Sequence, residues 1–448
     1  MEEVNKLKKK EKPVKTEKES SFEEQQTPYA GCVDGVPVES APHVLVSGPT
    51  GRGKSLRALV PGALLWRGPR VIVSSKTDFC REVVQRGMAE RGPVYIMDLA
   101  GELDPSFDWL QGLDYTSVVS DPTALIEGDD DAMAMASLLM KVGKLGAGDG
   151  AGGGGGNDAF WETLAAQPLA ALLLAGKASG EGISYTVRAC SKIEKAGADD
   201  ASPSWSNAYE LIEHTSFHAQ ELMDSSQMEA KLKDSLKATM KSGLKPWVLT
   251  TVRGEGGAVP FSPSMLEGPG EPTLAIVAPS DGVAAGAAVG AIETIIRHWR
   301  RGVERGLDRV LLSIDEACNT APLPKLPTYI TEARGLGVAV VAAVQSTTQM
   351  ELVWGETGAK VLREVFPCIL VLEGAPEFDA LELASKWSGE EDVLRETINA
   401  DGSRSKTAEK APRRTVSELL PDSVEEGRLL KYGKEGLRVD LPGVWDFA

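Results

Sequence analysis

The sequence predicts an α/β fold: a mostly parallel sheet flanked by helices and interrupted by an all-helical insertion. Three observations predict it. Apolar runs of strand length recur at Val44–Val46, Val71–Val73, Val94–Met97, Leu274–Ala278, Arg309–Ile314, Val338–Val344 and Ile369–Leu372, alternating with helical patterns. The first run leads into GPTGRGKS, Gly48 to Ser55, which fits G-x-x-x-x-G-K-[ST]. Between about residues 151 and 245, helical periodicity persists and strand signals are absent.

The elements follow in chain order. Residues 1–27 are charged and poor in large apolar groups, with Lys6, Lys8, Lys9, Lys10, Lys12, Lys15 and Lys18 among glutamates. Such a segment buries too little to fold alone. It reads as a solvated tail or as a weak contact to anionic lipid, nucleic acid or an acidic partner. Residues 28–150 carry the first α/β part. In the glycine loop, Gly48, Pro49, Thr50, Gly51, Arg52 and Gly53 let the backbone curl and aim N–H groups at a phosphate chain. Lys54 would reach the β/γ-phosphates, and the Ser55 hydroxyl would ligate Mg²⁺. Pro61 is expected to keep the following helix short. Asp78–Arg91 has helical spacing. Lys76 and Asp98, at strand ends, either face the nucleotide or a neighbouring subunit or are ordinary loop residues.

Gly143–Asp158 is a linker or loop by composition, with Asn157 or Asp158 as a candidate helix cap. The segments beginning FWETLA at Phe160 and QMEAKLKD at Gln227 are helical in pattern, the latter ending near Gly243. The α/β pattern resumes over 246–448. Residues 398–414 read as an exposed polar loop, and LLKYGKEGLRVDL as a hairpin.

Composition excludes several classes. The net charge of −17 argues against coating nucleic acid with the whole surface. Cys32, Cys80, Cys190, Cys318 and Cys368 are scattered without a C-x-x-C pair, against a disulfide framework or a zinc site and in keeping with a reducing compartment. His214 and His218 have i, i+4 spacing but no third ligand nearby, and read as surface residues. No run of about 18 apolar residues and no secretory h-region is visible, so the expectation is a cytoplasmic protein.

Hydrolysis also needs a metal-holding carboxylate and a group that activates water. The run RVLLSIDEA delivers Asp315 and Glu316 at the end of an apolar strand. Asp315 would hold Mg²⁺, and Glu316 would act as general base. Asp315 lies 260 residues beyond Ser55, more chain than a compact nucleotide core needs, so a segment is inserted between them. Further on, Gln345 ends the strand beside that of Asp315. It is either a γ-phosphate sensor or an ordinary strand-end polar group. Arg334 is either a cation favoured at a helix C-terminus, capped by Gly335 or Gly337, or an arginine finger reaching a neighbour's nucleotide.

These stretches, together with VIVSSKTDF and GPVYIMDLAG, resemble the TraG/TraD-type coupling ATPases of bacterial conjugation and type IV secretion, within the HerA/FtsK-like P-loop superfamily. The resemblance spans about Pro28 to Trp445. It implies a RecA-like motor with an inserted helical domain opened here by Phe160–Ala165, ATP and Mg²⁺ as cofactors, and a homo-hexameric ring. The ring couples ATP hydrolysis to transfer of relaxase-bound, single-stranded DNA into a type IV secretion channel. On the resemblance, Arg334 matches the trans-acting arginine and Gln345 the glutamine motif. Typical members anchor through N-terminal transmembrane helices, whereas this chain opens with a lysine-rich polar tail, so either a membrane-anchoring partner recruits it to the inner face of the membrane or it is a soluble relative acting in another process. Ser74-Ser75-Lys76 also departs from the Asp-Pro-Lys-Gly pattern of many members. Two other functions fit the same residues: a soluble HerA/FtsK-like DNA translocase in DNA processing, and a cargo-binding adaptor with a slow ATPase switch.

Overall fold

The computed structural model describes residues 26–145, 156–195, 197, 200–254, 259–279, 282–398 and 404–447. Strands Val44–Ser47, Arg70–Ser74, Thr273–Val277, Val310–Ile314, Val338–Val344 and Cys368–Leu372 are buried along their whole length, as their near-continuous apolar sequences require in a sheet covered on both faces.

They belong to one thirteen-stranded sheet. From Cys368–Leu372 it runs in parallel through Val44–Ser47, Val338–Val344, Val310–Ile314, Arg70–Ser74, Thr273–Val277, Val94–Asp98, Thr116–Val119 and Val259–Pro260. On the other side of Cys368–Leu372, four antiparallel strands finish the sheet: Glu426–Lys431, Leu437–Asp440, Cys32–Val33 and Val36–Pro37. The expected C-terminal hairpin is the Glu426–Asp440 pair.

Alternation along the strands sorts the core into two layers. Leu45, Val71, Val73, Leu312, Ile314, Val340 and Ala342 face one side, with helix Ala285–Gly302 and the helical segment. Val44, Val46, Ile72, Leu311, Val341 and Ala343 face the other, with helices Lys54–Leu65 and Thr77–Arg91. Among the described residues, 151–245 contain helices and no strand. Helix Gly156–Ser179 is apolar all round, with Leu169 to Leu173 wholly buried. Around it pack Asp129–Leu145, Ile183–Ala189, Trp205–Ile212, His218–Ser226 and Ala230–Leu244. The buried Trp247 indole donates to the Ser120 carbonyl (2.8 Å), tying the end of this segment to the sheet's flank.

Several local expectations are corrected. Residues 404–412 are not a loop: Arg404–Pro412 pairs antiparallel with Glu390–Ile398 in a separate two-stranded ribbon, because cross-strand bonds satisfy a backbone that sequence polarity left unassigned. The Asp78–Arg91 helix is interrupted at Gly87, whose φ of 86° lies in the left-handed region. Asn157 and Asp158 do not cap a helix, which already starts at Gly156. His214 and His218 do not share a helix: the first follows the end of Trp205–Ile212 and the second opens His218–Ser226. The helix after the glycine loop is short, as Pro61 led one to expect, and ends at Leu65. A π-helical turn over Lys54–Leu59 precedes the proline near the start of the α-helical part, where a missing donor costs little. Strand Thr116–Val119 was not anticipated, being short, half-exposed and near the sheet edge. The lysine-rich tail lies outside the described residues except for Gln26 and Thr27. Most of the glycine-rich segment lies outside them as well.

Candidate active site

The two motifs separated by 260 residues meet. Ser55 Oγ donates to Asp315 Oδ2 at 2.8 Å. Strand Val338–Val344 lies between the strands that carry them, and all three are parallel, so their carboxyl ends open on one edge of the sheet. The phosphate loop, Asp315, Glu316 and Gln345 all follow these ends.

The loop is shaped as its sequence requires. Gly51 and Gly53 adopt φ of 79° and 85°, in the left-handed region that glycine reaches without steric cost. Lys54 is buried, and its ammonium donates to the carbonyls of Gly48 (2.7 Å) and Pro49 (3.0 Å). Burial pushes its pKa below the ordinary lysine value, against the opposing pull of Asp315 and Glu316. Arg52, exposed on the loop, pairs with Glu373 at 3.1 Å.

Asp315 is 9% exposed. Burial raises its pKa above the usual aspartate value and Glu316 adds to the rise, while the Ser55 hydrogen bond opposes it. Glu316 stands in the left-handed region (φ 51°, ψ 54°), unusual for a residue with a side chain and strained by about 1–2 kcal/mol. Four hydrogen bonds hold it there. Its carbonyl accepts from the amides of Asn319 (2.8 Å) and Thr320 (3.0 Å) and from Thr320 Oγ1 (3.3 Å), and Thr320 Oγ1 also donates to the Asp315 carbonyl (2.7 Å). The strain turns the chain sharply at the strand end and sets two adjacent carboxylates in different environments, Asp315 buried and Glu316 half-exposed.

Gln345 is half-buried at the end of its strand, and its amide donates weakly to Gln349 Oε1 (3.4 Å). Arg334 lies elsewhere. Its backbone is in the 3₁₀ turn Ala333–Leu336, before the same strand begins, with Gly337 (φ 71°) in the left-handed region. Lys76 is exposed. Asp98 accepts from the amides of Ala100, Gly101 and Leu103 and so builds its own turn. Among the described residues, no group of three or more His, Cys, Asp or Glu is arranged to hold a metal ion. None of the described helices is long and apolar enough to cross a membrane.

Sequence reading missed Glu377. This buried carboxylate accepts from Ser47 Oγ (2.6 Å), the Thr347 amide (2.8 Å) and Thr347 Oγ1 (2.6 Å). An acid in the turn after the apolar run ending at Leu372 was the available signal. It resembles any exposed loop acid, and only burial sets it apart.

The raised pKa of Asp315 makes a prediction. In the protein without metal, its ionised form is disfavoured by folding. Its contribution to stability is therefore greatest below the ordinary aspartate pKa and is lost as pH rises through the raised native value. Asp315→Asn should accordingly melt above wild type at pH 8, with the gap closing as the pH is lowered. Mg²⁺ should raise the melting temperature of wild type and not of the variant. Thermal melts across pH with and without Mg²⁺ check both.

Comparison with known proteins bears on the fold. Residues 309–424, which hold Asp315, Glu316, Arg334, Gln345 and Glu377, match the family model described as the TraM recognition site of TraD and TraG. No curated protein matches in sequence. Solved structures do match in fold. The unbound bacterial conjugative coupling protein TrwBdeltaN70 is 22% identical with a TM-score of 0.58, over 93% of this chain and 89% of that one. Plasmid coupling protein TrwB in complex with the ATP analogue ADPNP is 21% identical with a TM-score of 0.56, over 93% and 89%. TrwB in complex with ADP and Mg²⁺ is 21% identical with a TM-score of 0.57, over 93% and 90%. Across its length the chain thus shares the RecA-like P-loop fold of these solved structures, and residues 309–424 match the TraD/TraG family model.

Proposed function

We propose that the chain is an ATP-hydrolysing coupling protein that drives relaxase-bound DNA toward a type IV secretion channel as a homo-hexameric ring. The observation that carries this reading is the 2.8 Å contact between Ser55 and Asp315, which joins a phosphate loop to a metal-holding carboxylate. The donor set fits Mg²⁺: a hydroxyl and a buried carboxylate, both hard oxygens, the carboxylate in a place where its bare charge is disfavoured. Bound there, Mg²⁺ would neutralise charge on the phosphate oxygens.

The chain's own residues do the rest. The Gly48–Ser55 backbone cradles the phosphates, and Lys54 neutralises charge between the last two. Glu316 accepts a proton from the attacking water as that water's oxygen bonds to the γ-phosphorus and the bond to the ADP oxygen breaks. Gln345 orients the water or senses the γ-phosphate. Arg334 completes a neighbour's site, so turnover needs the assembled ring. We assign residues 28–150 and 246–448 to the motor and 151–245 to a cargo-facing helical unit. The family description adds a partner on 309–424, of the TraM kind, so that partner contact and hydrolysis share one stretch of chain.

Comparing ATPase rates of wild type and Lys54→Ala with and without single- or double-stranded DNA tests the proposal. Stimulation by DNA in wild type, with Lys54→Ala silent, is the expected result. A slow rate indifferent to DNA would overturn the motor and leave the adaptor. Stimulation by duplex DNA alone, with no binding to a relaxase–DNA complex, would move the chain to a translocase of DNA processing.

A further inference from the structure

Glu377 ties together two parts of the site that covalent structure leaves far apart. Ser47 is the last residue before the phosphate loop, and Thr347 stands two residues beyond Gln345. Ser47 is wholly buried, and Thr347 and Glu377 are each 5% exposed. Both oxygens of the Glu377 carboxyl group accept, and among the described residues every donor to them comes from these two residues. Leu381 in turn bonds back to the Glu377 carbonyl at 3.0 Å, so the acid also opens helix Phe378–Trp387.

The ladder alone fixes the strands less well at this edge. Ser47 pairs with Val344 in register and Gly48 N donates to the Val344 carbonyl at 3.2 Å, after which both chains leave the sheet. Beyond that point the Gln345 turn is held by the weak Gln349 contact, by the Gln349 amide on the Ser346 carbonyl (3.1 Å), by the long Arg363 contact to the Thr347 carbonyl (3.4 Å) and by Thr347 on Glu377, and of these only the last reaches the phosphate-loop strand, through Ser47. A second link, Arg52 to Glu373, ties the same returning segment to the outer side of the loop, but it is exposed and screened. The buried clamp therefore sets the distance between the phosphate cradle and Gln345.

We propose that Glu377 is a positioning residue that locks the phosphate-loop strand and the Gln345 turn into one rigid unit, so that the site distinguishes a nucleoside triphosphate from a diphosphate. This rests on the ATPase reading above. A misplacement of about 1 Å at a reacting centre costs on the order of a hundredfold. Loosening the turn should therefore show in turnover and in triphosphate recognition, whereas the diphosphate, held by the loop, should bind nearly unchanged.

The test uses the full chain, with turnover, melting temperature, and binding of fluorescent ADP and a non-hydrolysable ATP analogue. Thr347→Val keeps the amide donor and removes the hydroxyl. It should lower kcat by about tenfold or more and reduce the preference for the ATP analogue over ADP. Glu377→Ala should do the same more strongly, and Glu377→Gln, which keeps an acceptor oxygen, should recover most of the loss. If Glu377→Ala fails to fold, Thr347→Val decides. A folded Thr347→Val with wild-type turnover, or one that weakens ADP and the ATP analogue equally, overturns the clamp alone. A wild type that binds neither nucleotide overturns the ATPase reading and the clamp with it.

Discussion

Glu316→Gln is expected to bind nucleotide like wild type while its turnover falls by about 10²–10⁴-fold. The substitution is nearly isosteric, so the strained turn and its hydrogen bonds to Asn319 and Thr320 are kept, because they use the backbone. What is lost is the capacity to take a proton. The two neighbouring acids separate cleanly in this test. Asp315 is buried against Ser55, with ionisation disfavoured until a cation is present, and suits metal holding. Glu316 is half-exposed on the far side of the turn and suits water activation. Asp315→Asn should therefore lose Mg²⁺-dependent binding, whereas Glu316→Gln should keep it. Single-turnover hydrolysis beside equilibrium binding of an ATP analogue distinguishes the two; a Glu316→Gln variant that turns over normally removes Glu316 from the role of base.

Arg334→Ala is expected to cost about 10³-fold or more in the assembled protein, the range of an arginine finger. The backbone explains why the effect should arise between subunits. Strand Val338–Val344 has seven residues and spans roughly 23 Å. Arg334 precedes it, while Gln345, Asp315 and the phosphate loop all lie beyond the opposite ends of the parallel strands. The backbone at Arg334 is thus at the opposite edge from its own subunit's proposed nucleotide site, as the proposed role across a subunit boundary requires. Mixing supplies the check. Lys54→Ala subunits keep Arg334 and lack a working cradle, and Arg334→Ala subunits have the reverse defect. Each alone should be inactive, and mixed assemblies should regain turnover. If Arg334→Ala alone hydrolyses ATP as wild type does when assembled, the finger is refuted.

Much of the fold was legible because its signals are local. The central strands are covered on both faces, so each is a near-continuous apolar run, and the runs at 44, 71, 94, 274, 309, 338 and 369 were visible without a structure. Strands exposed on a face carry no such signal. Thr116–Val119 and the charged ribbon Glu390–Ile398 with Arg404–Pro412 were missed for that reason; the ribbon is held by backbone bonds that side-chain polarity does not report. The break at Gly87 was likewise hidden, since one glycine in a periodic pattern is compatible with a continuous helix.

The site divides in the same way. The phosphate loop and the acidic pair could be read from the chain because each demands particular residues at adjacent positions: glycines where the backbone must turn left-handed, a lysine and a serine after them, carboxylates where an apolar strand ends. By itself the sequence determined which groups could carry the chemistry. Only the tertiary structure decided which of them meet, because strand order is set by burial summed over the whole sheet and not by neighbours along the chain. That order inserts Val338–Val344 between the two motif strands, closes Ser55 on Asp315, and turns an anonymous loop acid, Glu377, into the buried link between Ser47 and Thr347.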